Sequence, residues 1–135
     1  MSFTYLLDTD TLIDYSKGRE PVCSRLQELI TAGERVGVCA ITVTEFFAGL
    51  PVPHRPVWTE FFASLTYWDI SEPSARAAGL YCYELSRSGK TLTTTDALIA
   101  AVALQEDATL LTSNLRHYPI PGLSVRSLRQ AREAA

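Results

Sequence analysis

Four oxygen-bearing side chains stand at the ends of apolar segments, where they could act together on one ligand: Asp8, Glu45, Asp96 and Asn114. Asp8 directly follows the apolar run 3–7, and Asn114 lies just past the β-prone run 109–112. Carboxylate and amide oxygens are hard ligands that suit Mg²⁺ or Mn²⁺. Several carboxylates in one place repel each other unless a cation neutralises them. If folding gathers these side chains, the sequence predicts a divalent-cation site.

The elements that must position these side chains alternate between strands and helices. The runs 3–7 and 36–41 are typical of buried strands, and the runs 67–70, 109–112 and 123–125 are further strand candidates. The segment 97–104 is apolar on every side and follows the capping residues 93–96, which predicts a buried helix with Asp96 at its N-terminus. This alternation predicts an α/β fold around a mainly parallel sheet. Such sheets bind ligands outside the carboxyl ends of their strands, where the polar side chains would converge.

Two further features of the chain are predicted from local patterns. Glu45 is expected in or near the first turn of a helix that follows the second strand. A terminal helix is expected from Arg126 to Ala134, with Arg126, Arg129 and Arg132 on its exposed face. RNA contact is the second interpretation of this arginine stripe.

Each candidate residue also has a purely structural interpretation. Asp8 or Asp10 could cap the helix after the first strand, and the helix dipole favours Glu45 without any ligand. Asp96 could be a cap or a first-turn acid, and Asn114 a turn residue able to adopt a left-handed backbone. The placement of all these residues at one edge of one sheet favours a common site.

Composition limits the class of protein. A chain of 135 residues predicts a single domain over 1–135, and its formal net charge of −3 argues against a non-specific nucleic-acid binder without excluding a nuclease. Three cysteines without CxxC spacing suggest small buried residues, and two distant histidines disfavour a zinc centre. The sequence predicts neither a membrane span nor a signal peptide, so we expect a cytoplasmic protein.

Four motifs occur in an order that is similar to that of one nuclease family. They are Leu6–Ile13, Thr42–Gly49, Thr95–Ala101 and Leu111–Asn114. These segments resemble the motifs of PIN-domain ribonucleases, and the short chain resembles the VapC-type toxins of toxin–antitoxin pairs. The resemblance implies a PIN-like three-layer α/β/α sandwich around four or five short, mainly parallel strands.

The same resemblance implies a Mg²⁺-dependent endoribonuclease that hydrolyses RNA phosphodiester bonds, with Mn²⁺ as a plausible substitute. Asp8, Glu45 and Asp96 would bind the catalytic metal, with Asn114 at the fourth acidic position. Asn114 is neutral, which weakens the case for a second ion. Asp10 stands where the family usually has Asn or Ser, and a helix cap is the favoured interpretation of this extra carboxylate.

Residues near these acids are candidates for contacts with RNA. Thr9 and Thr112 could place hydroxyl groups near the site, although plain helix or turn caps are equally good interpretations. Arg116 and His117 follow Asn114 and could hold a substrate phosphate; a solvated loop is the alternative.

The resemblance also implies partners, namely a cognate antitoxin, a second copy of the chain in a homodimer, and a toxin–antitoxin hetero-oligomer. An apolar groove that includes Leu12, Ile13, Leu26 and Phe46 could receive the antitoxin's C-terminal segment, although each of these residues alone fits a core position. The alternatives to a toxin are a housekeeping PIN nuclease and a non-cutting RNA- or partner-binding scaffold. A receiver module fits poorly, since Lys17 and Lys90 follow no late strand.

Overall fold

Five short strands form one sheet at the centre of the fold. The computed structural model describes residues 3–130, and its strands are β1 Thr4–Leu7, β2 Arg35–Cys39, β3 Thr66–Trp68, β4 Thr109–Leu111 and β5 Val125–Arg126. Their order is β3-β2-β1-β4-β5, and every neighbouring pair is parallel. The predicted parallel sheet is therefore confirmed, with β1 at its centre between β2 and β4.

Helices connect the strands, as a parallel sheet requires. They are α1 Thr9–Ser16, α2 Val22–Thr31, α3 Ala40–Ala48, α4 Arg55–Ala63, α5 Glu72–Arg87 and α6 Thr94–Gln105. Short 3₁₀ helices occupy Val52–His54 and Leu115–His117. The chain enters α1 and α3 immediately after β1 and β2, so both helices begin at the carboxyl edge of the sheet.

The two faces of the sheet carry separate apolar cores. Leu6 of β1 packs in one core with residues of α5 and α6, while its neighbours Tyr5 and Leu7 lie in the other with α1, α2 and α3. This split follows from the alternation of side chains along a strand. The fold therefore has the three α/β/α layers that were predicted, and α6 is buried over most of its length.

A glycine in β2 makes room for a large aromatic side chain. The Trp68 indole lies so close to Gly37 that a Cβ atom built on the glycine would stand 2.2 Å from Trp68 Cζ3. Since real side chains do not approach so closely, this position requires glycine while Trp68 keeps its place. The contact fixes β3 against β2, which are paired at Gly37 and Thr66.

The end of the described chain differs from its prediction. Arg126 lies in β5, and residues 127–130 are not helical, so a helix beginning at Arg126 is wrong. Arg129 is exposed as predicted, but it lies outside any helix, and its Nε donates to Asp14 Oδ2 at 2.7 Å. The buried Asp14 needs a charged partner, which Arg129 provides, and the edge of β4 pairs with β5. Neither constraint can be seen in the local spacing of the arginines. Arg132 and the remainder of the predicted helix lie outside the described residues.

Two composition-based expectations can be compared with the structure. Within residues 3–130, no helix combines the length and apolar character that crossing a membrane requires. All three cysteines are free, but only Cys39 is buried, while Cys23 and Cys82 are half-buried. The prediction of small buried residues therefore holds fully for Cys39 alone.

Candidate active site

Asp8 lies at the point where the central strand ends. Its backbone N–H donates to the Leu111 carbonyl at 3.0 Å, which ties the ends of β1 and β4 together. Its backbone is extended, and its side chain accepts the Thr9 N–H at 2.8 Å as the N-cap of α1. One carboxylate oxygen therefore starts the helix, and the other is available to the site.

Asp96 reaches the same place from the other side of the sheet. The Thr93 hydroxyl caps α6 by accepting the Asp96 N–H at 3.2 Å, which places Asp96 in the first turn as predicted. The Tyr118 hydroxyl lies 2.8 Å from Asp8 Oδ2 and 3.2 Å from Asp96 Oδ1. The fold thus brings Asp8 and Asp96, 88 positions apart in the printed sequence, to one hydroxyl group.

Burial changes the pKa values of Asp8 and Tyr118. Asp8 is buried, and burial raises the pKa of its carboxyl group, with the nearby negative charge of Asp10 raising it further. The hydrogen bond from Tyr118 acts in the opposite direction. Burial, followed by the charge of Asp8, raises the Tyr118 pKa far above its usual value, so the phenol remains a protonated donor. The N-termini of α1 and α6 also favour negative charge here.

Glu45 lies near the first turn of its helix, within the range predicted. Helix α3 begins at Ala40, directly after β2, so Glu45 lies in its second turn. The buried Thr42 hydroxyl donates to the Leu7 carbonyl at 3.0 Å and holds the start of α3 beside β1. The exposed Glu45 accepts the Thr9 hydroxyl at 2.7 Å. Thr9 therefore links Glu45 to the Asp8–Asp96 pair.

Asp10 has a different role from the predicted helix cap. Asp8 is the cap, whereas Asp10 lies in the first turn of α1 and accepts the Ser113 N–H at 3.0 Å. It also accepts the Asn114 side-chain amide at 3.3 Å. The cap interpretation fails because Asp10 accepts these donors from the turn after β4. That turn is more than a hundred residues away in the chain, so local capping patterns do not reveal the contact.

The turn after β4 has a buried side and an exposed side. Thr112 is fully buried, and its hydroxyl accepts the Asn114 N–H at 3.1 Å, so it lies behind the site rather than on its surface. Asn114 itself is exposed and has a φ of −96°, which is not left-handed. Arg116 and His117 are exposed in the following 3₁₀ helix. Both of these candidates can therefore reach a ligand in solution.

An apolar groove adjoins Glu45. It has a volume of about 410 Å³ and is lined mainly by Ile13, Phe46, Leu50, Pro51 and Trp58. Lys17, Glu45 and His54 add polar groups to its lining. Two residues predicted for such a groove, Leu12 and Leu26, are instead fully buried in the core. The remaining two, Ile13 and Phe46, do line it.

The capacity of these residues for a metal ion depends mainly on Asp8 and Asp96. Across positions 3–130, no three acidic, histidine or cysteine side chains are grouped as closely as a metal site requires. The pair nevertheless fits a hard divalent cation. Its two carboxylates face one hydroxyl group, and burial disfavours the charged form of Asp8, which a cation would stabilise. Mg²⁺ keeps several of its waters, so few protein ligands are needed.

Comparison with known proteins places this geometry in a family. The PIN domain family model matches residues 5–123. The chain belongs to the PIN-domain family of nucleases. Ribonuclease VapC19 of Mycobacterium tuberculosis is 31% identical over 115 residues, covering 85% of this chain and 92% of that protein. These matches confirm the VapC-type resemblance and leave no support for a receiver module.

Solved structures agree with this assignment of the PIN domain. A DNA-bound VapBC from Salmonella typhimurium is 26% identical, with a TM-score of 0.78 over 93% of this chain and 98% of that one. A toxin–antitoxin complex from Klebsiella pneumoniae is also 26% identical, with a TM-score of 0.71 over 89% of this chain and 95% of that one.

Two residues of this PIN domain's site were not identified from the sequence. Tyr118 lies in a proline-rich loop, and only its contacts with Asp8 and Asp96 distinguish it from a packing aromatic. Thr42 begins one of the family motifs but carries no charge, and its contact with β1 is formed by the fold. Neither residue type nor spacing signals these roles.

Proposed function

We propose that this PIN domain is a metal-dependent endoribonuclease that hydrolyses RNA phosphodiester bonds. The observation that supports this function best is the convergence of Asp8 and Asp96 on the Tyr118 hydroxyl at the carboxyl edge of the sheet. Both residues occupy the acidic positions of the family motifs. Paired carboxylates in this setting suit a divalent cation, with Mg²⁺ as the proposed ion and Mn²⁺ as a substitute.

The residues of the site would have separate roles in hydrolysis. Asp8, Asp96 and Glu45 would hold the ion, which when bound activates water and stabilises the leaving oxygen. Glu45 would turn its carboxylate toward the pair while Thr9 limits its movement, since the two side chains are hydrogen-bonded. Asn114 would contribute its neutral amide at the fourth position. Its exposure and its contact with Asp10, two residues after Asp8, support this role.

Substrate binding is proposed for the exposed residues at the mouth of the site. Arg116 and His117 follow Asn114 and stand in solvent, where they can contact RNA phosphates. Thr9 borders the acids and could donate to a phosphate oxygen once Glu45 moves. The buried Thr112 would act on substrate only indirectly, through the position of Asn114.

RNA cleavage by the purified protein tests the enzymatic proposal. We expect cutting of structured RNA with Mg²⁺ or Mn²⁺, no cutting with EDTA, and loss of activity in Asp96→Asn. Asp107→Asn is the matched control, because it makes the same change at an exposed residue before β4, at the opposite edge of the sheet. Asp107 has a φ of 50°, a conformation that asparagine accepts readily. A folded, partner-free wild type that cuts nothing with either metal would leave the non-cutting scaffold as the better function.

We also propose that a cognate antitoxin inhibits the enzyme by binding in the groove beside Glu45. The groove offers apolar walls for a partner segment, and Glu45 offers a carboxylate for a basic side chain of that segment. The Klebsiella pneumoniae structure is a toxin–antitoxin complex, which supports a partner of this kind. A homodimer and a larger hetero-oligomer are proposed from the family alone.

Inhibition by the product of a neighbouring reading frame tests this partner. Leu50→Lys, which puts a cation in the groove, should weaken inhibition while thermal melting verifies the fold. Leu80→Lys is the control, since Leu80 is 52% exposed on α5 in the other layer. Equal inhibition of both variants would place the partner elsewhere, and the absence of any neighbouring inhibitor would favour a housekeeping nuclease.

A further inference from the structure

Asp10 is a carboxylate that the proposed metal-binding set does not use, yet it is heavily hydrogen-bonded. Its Oδ2 accepts the Ser113 N–H at 3.0 Å, the Ser113 hydroxyl at 2.5 Å and the Asn114 amide at 3.3 Å. Its Oδ1 lies 3.3 Å from the Thr11 hydroxyl, which donates at a shorter distance, 2.9 Å, to the Leu111 carbonyl. One side chain of α1 thus holds the whole turn after β4.

This contact fixes the orientation of the Asn114 amide. The Asn114 atom that faces Asp10 is the amide nitrogen, which donates to the carboxylate oxygen. The Asn114 amide oxygen is therefore directed away from Asp10 and is free to accept a donor or bind a cation. Without Asp10, the amide could turn over, because its oxygen and nitrogen have nearly the same shape.

Asp10 favours a neutral side chain at position 114. A carboxylate at this position would face the Asp10 carboxylate at hydrogen-bond distance, with no proton between them. Like charges so close are destabilising in the absence of a cation. An amide in the same place converts the repulsion into a hydrogen bond. The charge at residue 10 and the amide at residue 114 are therefore matched to each other.

We propose that Asp10 is a positioning residue that orients Asn114 and supplies, from helix α1, the negative charge missing at the fourth acidic position. The proposal rests on the proposed metal-dependent function for its role in ion binding. The pairing of the two side chains does not depend on that function. The two parts can therefore be tested separately.

A cycle of four proteins tests the proposal: wild type, Asp10→Asn, Asn114→Asp and the double variant. Calorimetric titration with Mg²⁺ measures the affinity of each. In the wild-type background, Asp10→Asn should weaken Mg²⁺ binding about tenfold, as expected for a residue that orients a ligand. In the Asn114→Asp background, the same change should have little effect, because the charge is then supplied at position 114. Asp107→Asn serves as the charge-loss control.

Thermal melting of the same four proteins in EDTA gives a readout that requires neither metal nor activity. Asn114→Asp should lower the melting temperature by about 3 °C through charge repulsion, and adding Asp10→Asn should restore it. Equal weakening of Mg²⁺ binding by Asp10→Asn in both backgrounds, weakening in neither, or no thermal restoration would overturn the proposal. A wild type that binds no Mg²⁺ but retains the thermal coupling would contradict the proposed function alone.

Discussion

Replacing Tyr118 with phenylalanine removes one oxygen atom from the centre of the site. The ring of this buried residue would keep its packing, so the change isolates the hydroxyl. That hydroxyl lies 2.8 Å from Asp8 Oδ2 and 3.2 Å from Asp96 Oδ1. Its loss would leave the buried Asp8 carboxylate without a major stabilising contact.

The size of the effect follows from the type of hydrogen bond. A bond to a charged group contributes about 1.5–3 kcal/mol to stability, and the burial of Asp8 excludes water as an easy replacement. We therefore expect Tyr118→Phe to lower the free energy of unfolding by about 2 kcal/mol in EDTA. For a chain of this length, the melting temperature should fall by about 8 °C. A bound cation should reduce the loss, because it would stabilise the same carboxylates.

Urea unfolding in EDTA, followed by circular dichroism, measures this difference directly. Tyr67→Phe is the matched control, since Tyr67 is 53% exposed in β3 and should change stability little. A Tyr118→Phe protein within about 0.5 kcal/mol of wild type would refute the reasoning. In that case the hydroxyl would not be essential to holding the two acids together without metal.

Two other predictions concern the stability of the fold. Gly37→Ala should lower the free energy of unfolding in urea by about 2 kcal/mol, because the added Cβ would overlap Trp68. Gly79→Ala, at an exposed helical position with open space, should be neutral or stabilising. Equal effects of the two substitutions would contradict this prediction. Hydrogen bonds from Arg129 lower the pKa of Asp14 below 3.8, so their stabilisation should be present above pH 3.8 and lost as the pH falls through the folded-state pKa. Arg129→Ala should therefore cost about 1.5 kcal/mol at neutral pH and progressively less in acid, whereas a pH-independent cost would exclude this ion pair as the cause.

Much of the fold could be predicted because its signals are local. The segment 97–104 is apolar on every side, and a helix of that kind must be buried whatever surrounds it. Asp96 follows a run of capping threonines, which located it in the first turn. The C-terminal prediction failed where the structure depends on distant partners, since Arg129 binds Asp14 and β5 pairs with β4.

The sequence by itself determined the alternation of strands and helices, and with it the parallel sheet whose carboxyl edge carries Asp8 and Asn114. It did so because apolar periodicity and capping residues act over a few positions. Only the tertiary structure decided that Tyr118 joins Asp8 to Asp96, that Glu45 contacts Thr9, and that Asp10 holds the turn of Asn114. These contacts join residues 22 to 110 positions apart, and their geometry exists only after the two layers of helices have packed on the sheet.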